Sequence, residues 1–74
     1  KQLERLTTRE REVLALLVQD HKTGEAARVL GMAPGTAKIH RMHALEKMKL
    51  ESVADAVRWL RDANLDERHL SSGA

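Results

Sequence analysis

The chain has no cysteine, no phenylalanine and no tyrosine, and it carries a single tryptophan (Trp59) and a single proline (Pro34). Without cysteine there is no disulfide framework, which mildly favours a reducing compartment. With so few aromatic and β-branched residues a sheet is not expected, and the core must be built from Leu, Val, Ala, Met and Ile. No apolar run is long enough to span a bilayer and no signal-peptide pattern is present, so neither a membrane nor export is expected and a cytoplasmic location follows. Seventy-four residues make one domain. Its core is small enough that stability must come from well-made helix packing. A start at Lys1 rather than Met is what a piece of a longer protein, or a trimmed chain, would show.

What is present is an uneven distribution of charge. Residues 1–20 balance, and residues 50–74 are slightly acidic. Between residues 21 and 49 six basic residues (Lys22, Arg28, Lys38, Arg41, Lys47 and Lys49) face only Glu25 and Glu46. A local excess of this kind is the electrostatic footprint expected of a phosphate-binding surface.

The sequence predicts an all-α fold, a compact four-helix domain over residues 1–65, followed by a frayed tail over 66–74. Thr7-Thr8-Arg9-Glu10 is a capping-box pattern that opens a first helix with Val13, Leu14 and Leu17 on one stripe, ending near Gln19 or Asp20. Thr23 is the expected cap of a second helix that buries Ala26, Ala27 and Leu30. Gly31 stops it, because a left-handed residue is needed there. Pro34 suits the first turn of a third helix running to about Met48, since its missing amide hydrogen would be unpaired anyway. Ser52-Val53-Ala54-Asp55 is a weaker capping box opening a fourth helix over about 53–64. From Asp66 onward little is left to bury.

Two short helices hinged at Gly31, with Ala27 small enough for a close crossing and Met32 as an apolar plug, form the layout of a helix-turn-helix. An ordinary αα-hairpin remains the alternative. Sorted by its 100° step, the third helix turns Ala37, His40, Ala44 and Met48 inward. Gly35, Lys38, Ile39, Met42, Glu46 and Lys49 fall on the opposite arc, with Arg41 and Leu45 at the margin. Lys38 can donate to guanine or to phosphate, whereas Ile39 and Met42 can only meet thymine methyls or sugar. Arg41 and Thr36 are candidate phosphate contacts, and Lys22 and Thr23 at the start of the second helix complete the set.

These residues carry a family resemblance. Leu6-Thr7-x-Arg9-Glu10-x-Glu12-Val13-Leu14, Glu25-x-Ala27-x-x-Leu30-Gly31, Gly35-Thr36-Ala37-Lys38-Ile39-His40 and Lys47-Met48-x-Leu50 resemble the LuxR/GerE-type helix-turn-helix domain. That domain is the effector module of many bacterial transcription regulators, including NarL/FixJ-type response regulators. The likeness runs from about Leu6 to Leu65 without gaps. It implies a four-helix domain whose third helix enters the major groove and whose fourth pairs two copies on DNA, here through Val53, Ala56, Val57 and Leu60. It also implies an N-terminal receiver or ligand domain that controls pairing, with RNA polymerase as a possible further partner. By the same likeness Lys38 and Ile39 touch bases and Thr36 touches the backbone. Met42 falls on a reading position where the family often has a polar or basic residue. Ala33 replaces the usual Ser or Thr cap, Lys49 stands where Gly commonly ends the helix, and Ala37 is smaller than the usual Val.

The expected function is sequence-specific binding of double-stranded DNA as a homodimer in transcription regulation. A helix-turn-helix scaffold used as a protein-interaction module is one alternative. Another is a domain like sigma-factor region 4, which Gly35-Thr36-x-Lys38 and Ala44-Leu45 also resemble, although that reading leaves the helix after Ser52 without a role. No enzyme, cofactor or metal is expected. His40-x-x-His43 could set two imidazoles one turn apart, but no Cys and no suitably spaced Asp or Glu completes a ligand set. The scattered Ser and Thr residues are better explained as caps than as nucleophiles.

Overall fold

Thr7 adopts an extended conformation and accepts a hydrogen bond on its hydroxyl from the Glu10 amide at 3.1 Å, while its own amide donates to the Glu10 carboxylate at 2.9 Å. This closed capping box satisfies two otherwise unpaired amides and starts α1 (Thr8–Val18). The computed structural model describes residues 3–71, without the side chains of Glu67 and Ser71. Within them a short 3-10 turn, Leu3–Arg5, precedes α1, and α2 (Thr23–Leu30), α3 (Pro34–Lys47), α4 (Val53–Asp62) and α5 (Glu67–Ser71) follow. No strand occurs among the described residues.

Helix α1 is the central post, contacting α2, α3, α4 and α5. Its Val13, Leu14 and Leu17 are buried, as the stripe predicts. One side of the core gathers Leu6, Leu14, Ala15, Ala44, Met48, Ala56, Leu60 and Leu70, with Trp59 half-buried against it. The other gathers Val13, Leu17 and Ala26, closed by Leu30, Met32 and Val53. Fully buried alanines on α2, α3 and α4 let these helices approach closely, which compensates for the lack of large aromatics.

Two caps differ from expectation. Thr23 does not cap α2: the cap position is Lys22, whose amide donates to the Glu25 carboxylate at 2.9 Å. Thr23 is the first helical residue, and its hydroxyl is engaged elsewhere. At Ser52 the hydroxyl accepts from the Asp55 amide at 3.2 Å, but the Asp55 carboxylate takes the Glu51 amide rather than that of Ser52. The turn between α2 and α3 is as expected, with Gly31 at φ +68° and the Met32 amide donating to the Ala27 carbonyl at 2.9 Å. Helix α3 begins at Pro34 after Ala33, which offers no side-chain acceptor. Ala33→Ser supplies one at an exposed position, and should raise stability by about 1 kcal/mol in urea unfolding.

The tail is a correction. Residues 67–71 form α5 rather than fraying, and Leu70 is completely buried. Asn64 takes a positive φ of 60°, turning the chain back, and the Leu65 amide donates to the Leu60 carbonyl at 2.8 Å. The Asp66 carboxylate accepts the Arg68 amide at 3.0 Å and so caps the last helix. The domain therefore has five α-helices among the described residues instead of four, and its packed core extends past residue 65. Residues 72–74 of the expected frayed tail lie outside the described residues, as do residues 1 and 2.

Candidate nucleic-acid interface

Helix α3 divides into two faces as its spacing predicts. Ala37, Ala44 and Met48 are buried and His40 is half-buried, while Gly35, Thr36, Lys38, Ile39, Met42, Glu46 and Lys49 are exposed. Ile39 and Met42 are 51% and 47% exposed, which is unusual for large apolar side chains on the surface of so small a domain. The N-terminal part of the exposed arc therefore combines one cationic donor, Lys38, with two side chains that cannot form a useful hydrogen bond.

Arg41 sits at the margin of this arc and is half-buried. Its Nη1 donates to the Thr23 hydroxyl at 3.1 Å, which ties the middle of α3 to the start of α2. The structure thus brings together Thr23 and Arg41, with Lys22 next to Thr23 and exposed. A guanidinium has five N–H donors, so the bond to Thr23 orients the group and leaves most of its capacity for an anion. The amide of Lys22 is already taken by Glu25, a bond that is the largest influence holding the Glu25 carboxyl below its ordinary range. Helix α3 has no such side-chain acceptor, leaving amides of its first turn open at the positive end of the helix dipole.

Sequence reasoning treated Glu10 only as part of a cap. The structure gives it a second task. Its side chain is 5% exposed and accepts from Lys47 Nζ at 2.7 Å, with His43 Nδ1 3.9 Å from its other oxygen. This joins the start of α1 to the last turn of α3 and fixes the tilt of the exposed arc. Burial is the largest influence on the Glu10 carboxyl and would raise its pKa. The hydrogen bond and charge of Lys47, with the bonds to Thr7, more than reverse that, so it lies below its ordinary value. The signal was in the sequence: Glu10 shares a helical stripe with Val13, Leu14 and Leu17, and a carboxylate on an apolar stripe needs a partner.

Helix α4 divides Val53, Ala56, Val57 and Leu60 between the core and the surface. Ala56 and Leu60 are buried in the monomer and serve its core. Val53 is half-buried against Val13, Leu17 and Ala26. Val57, at 38% exposure, is the large apolar residue of the four that faces outward, in a shallow groove shared with Val18, Ala54, Arg58 and Arg61. Among the described residues no three His, Cys, Asp or Glu side chains are grouped so as to hold a metal ion, and no helix is long and apolar enough to cross a membrane.

Comparison with known proteins bears on this arrangement directly. Residues 4–60 match the GerE family, described as bacterial regulatory proteins, luxR family. The chain is 38% identical over 60 residues to the nitrate/nitrite response regulator protein NarL of Escherichia coli, covering 81% of this chain and 28% of that protein. It is 38% identical over 55 residues to the response regulator protein TmoT of Ectopseudomonas mendocina (74% and 25%). To the transcriptional regulatory protein MctR of Rhizobium johnstonii it is 35% identical over 57 residues (77% and 27%). The chain spans about a quarter of the length of these relatives. No solved structure gives a significant match. The matched residues include most of α4, which favours this family over sigma-factor region 4. The chain belongs to the luxR family of bacterial regulatory proteins, whose helix-turn-helix is a DNA-binding domain of transcription regulators and not an enzyme.

Proposed function

We propose that this chain binds double-stranded DNA sequence-specifically, with α3 in the major groove. Lys38, Ile39 and Met42 meet base edges, and Thr36, Arg41, Thr23 and Lys22 hold phosphates on the flank. The observation that carries the reading is the exposed arc of α3, bordered by an Arg41 that Thr23 already orients. One such domain makes few base contacts, so two copies on adjacent half-sites supply useful specificity. They pair through the outward strip of α4 around Val57, which Ala56 and Leu60 support from inside the monomer. Two of the relatives above are named response regulators, which supports a regulatory domain elsewhere in the full-length protein that controls pairing. RNA polymerase would be the downstream partner, in the cytoplasm.

Titration of fluorescent duplexes against salt tests this reading. Binding should weaken steeply as salt rises, and Lys38→Ala should reduce affinity roughly tenfold for the preferred sequence, a typical loss for one base-reading donor. A protein-interaction role has one observation in its favour: beside Met42 a groove of about 420 Å³ is lined in part by Leu45, Leu50 and Val53. Retained protein binding with no duplex affinity even at low salt would replace the DNA reading with that one.

A further inference from the structure

Among the described residues nothing covers the outward halves of Ile39 and Met42, whereas Ala37 and Ala44 of α3 are buried and Leu45 is half-buried. They lie three residues apart on one arc, hence side by side along the helix. Cations at Lys38 and Arg41 flank them against the one carboxylate of Glu46 a turn further on, a net positive border that suits a polyanion as the covering surface. Neither side chain can read a hydrogen-bonding pattern. On the floor of the major groove the apolar group available to them is the C5-methyl of thymine.

We infer that this domain discriminates among base pairs chiefly through thymine methyls, with Ile39 and Met42 each covering one and Lys38 as the polar reader beside them. The inference rests on α3 entering the major groove as proposed above, and goes further in naming the chemical group recognised. Replacing thymine by uracil keeps every pairing and groove hydrogen-bonding group and removes only that methyl, so it isolates the contact.

The experiment uses the 74-residue chain and the tightest duplex selected from a random pool, resynthesised with deoxyuridine at each thymine in turn. Two positions per half-site should show a loss of about fourfold each, the equivalent of one buried methyl, and the others none. The loss should be equal at low and high salt, because no charge is involved. In Met42→Ala one of the two positions should become indifferent to the methyl, and in Ile39→Ala the other. Both side chains are surface-exposed, so circular dichroism should show the fold retained in each variant. A merely structural role would weaken all duplexes alike and leave the methyl dependence intact. Salt-dependent binding in which uracil equals thymine at every position overturns the inference while leaving duplex binding in place. Absence of duplex binding at any salt overturns both.

Discussion

Leu70→Ala should lower the unfolding free energy by about 2–5 kcal/mol, the range for truncating a fully buried leucine. A domain of this size has only about 4–11 kcal/mol in total, so the midpoint of thermal unfolding should fall by at least about 8 °C. Leu70 is completely buried in the half of the core that holds Leu14, Ala44, Met48, Ala56 and Leu60. Helix α5 is too short to be stable by itself and depends on this docking. Losing the leucine should therefore release the segment, and truncation after Leu65 should destabilise the domain by at least as much. Urea unfolding followed by circular dichroism measures both. A shift below about 0.5 kcal/mol, the usual scale for surface substitutions, would mean that residues 66–71 fray after all.

The same leucine shows why that part of the fold was hard to read. Local patterns determine most of the remainder. Thr7 and Glu10 form a box from two residues three apart, Gly31 is the natural residue at φ +68°, and Pro34 fits only a helix start. The two faces of α3 follow from helical geometry alone. The tail DERHLSSGA, by contrast, holds a single large apolar residue, and periodicity needs at least two. What decides its structure is the reversal at Asn64, which delivers Leu70 to α1, and that is a tertiary fact. Thr23 failed for a similar reason. Its hydroxyl has a competing partner, Arg41, eighteen positions away, and no local rule weighs such a bond. On α4, Val53, Ala56, Val57 and Leu60 form one stripe in sequence, but the position of α1 decides that Ala56 and Leu60 go inside and Val57 stays out. For the candidate interface, the reading residues of α3 were legible individually. That Glu10 needs a partner was legible on its apolar stripe, but that the partner is Lys47, thirty-seven positions away, was not.

That pairing yields the second large effect. The pair is asymmetric: Glu10 is 5% exposed and Lys47 35%, so the lysine can turn to water if left alone but the carboxylate cannot. Lys47→Met should therefore cost about 3 kcal/mol near neutral pH, the lower end of the range for leaving a buried charge unpaired, because Thr7 still donates to the carboxylate. Glu10→Gln should cost less, since the freed ammonium can reach solvent and the amide oxygen can still accept from Thr7. The pH dependence separates this explanation from simple loss of packing. In the native domain Glu10 lies below its ordinary 4.5, so its stabilisation is complete above 4.5 and is lost as pH falls through the lower folded value. Without Lys47, its hydrogen bond and its charge no longer hold the carboxyl down, so the folded pKa should rise towards the unfolded value. The variant then loses less stability than the parent as the carboxyl is protonated. The stability gap between the two proteins, measured by urea unfolding from neutral pH into the acid range, should hold near neutrality and narrow as pH falls through about 4.5 and below. A gap that stays constant across that range would show that Lys47 contributes through its methylenes packed over α1 rather than through its charge on Glu10.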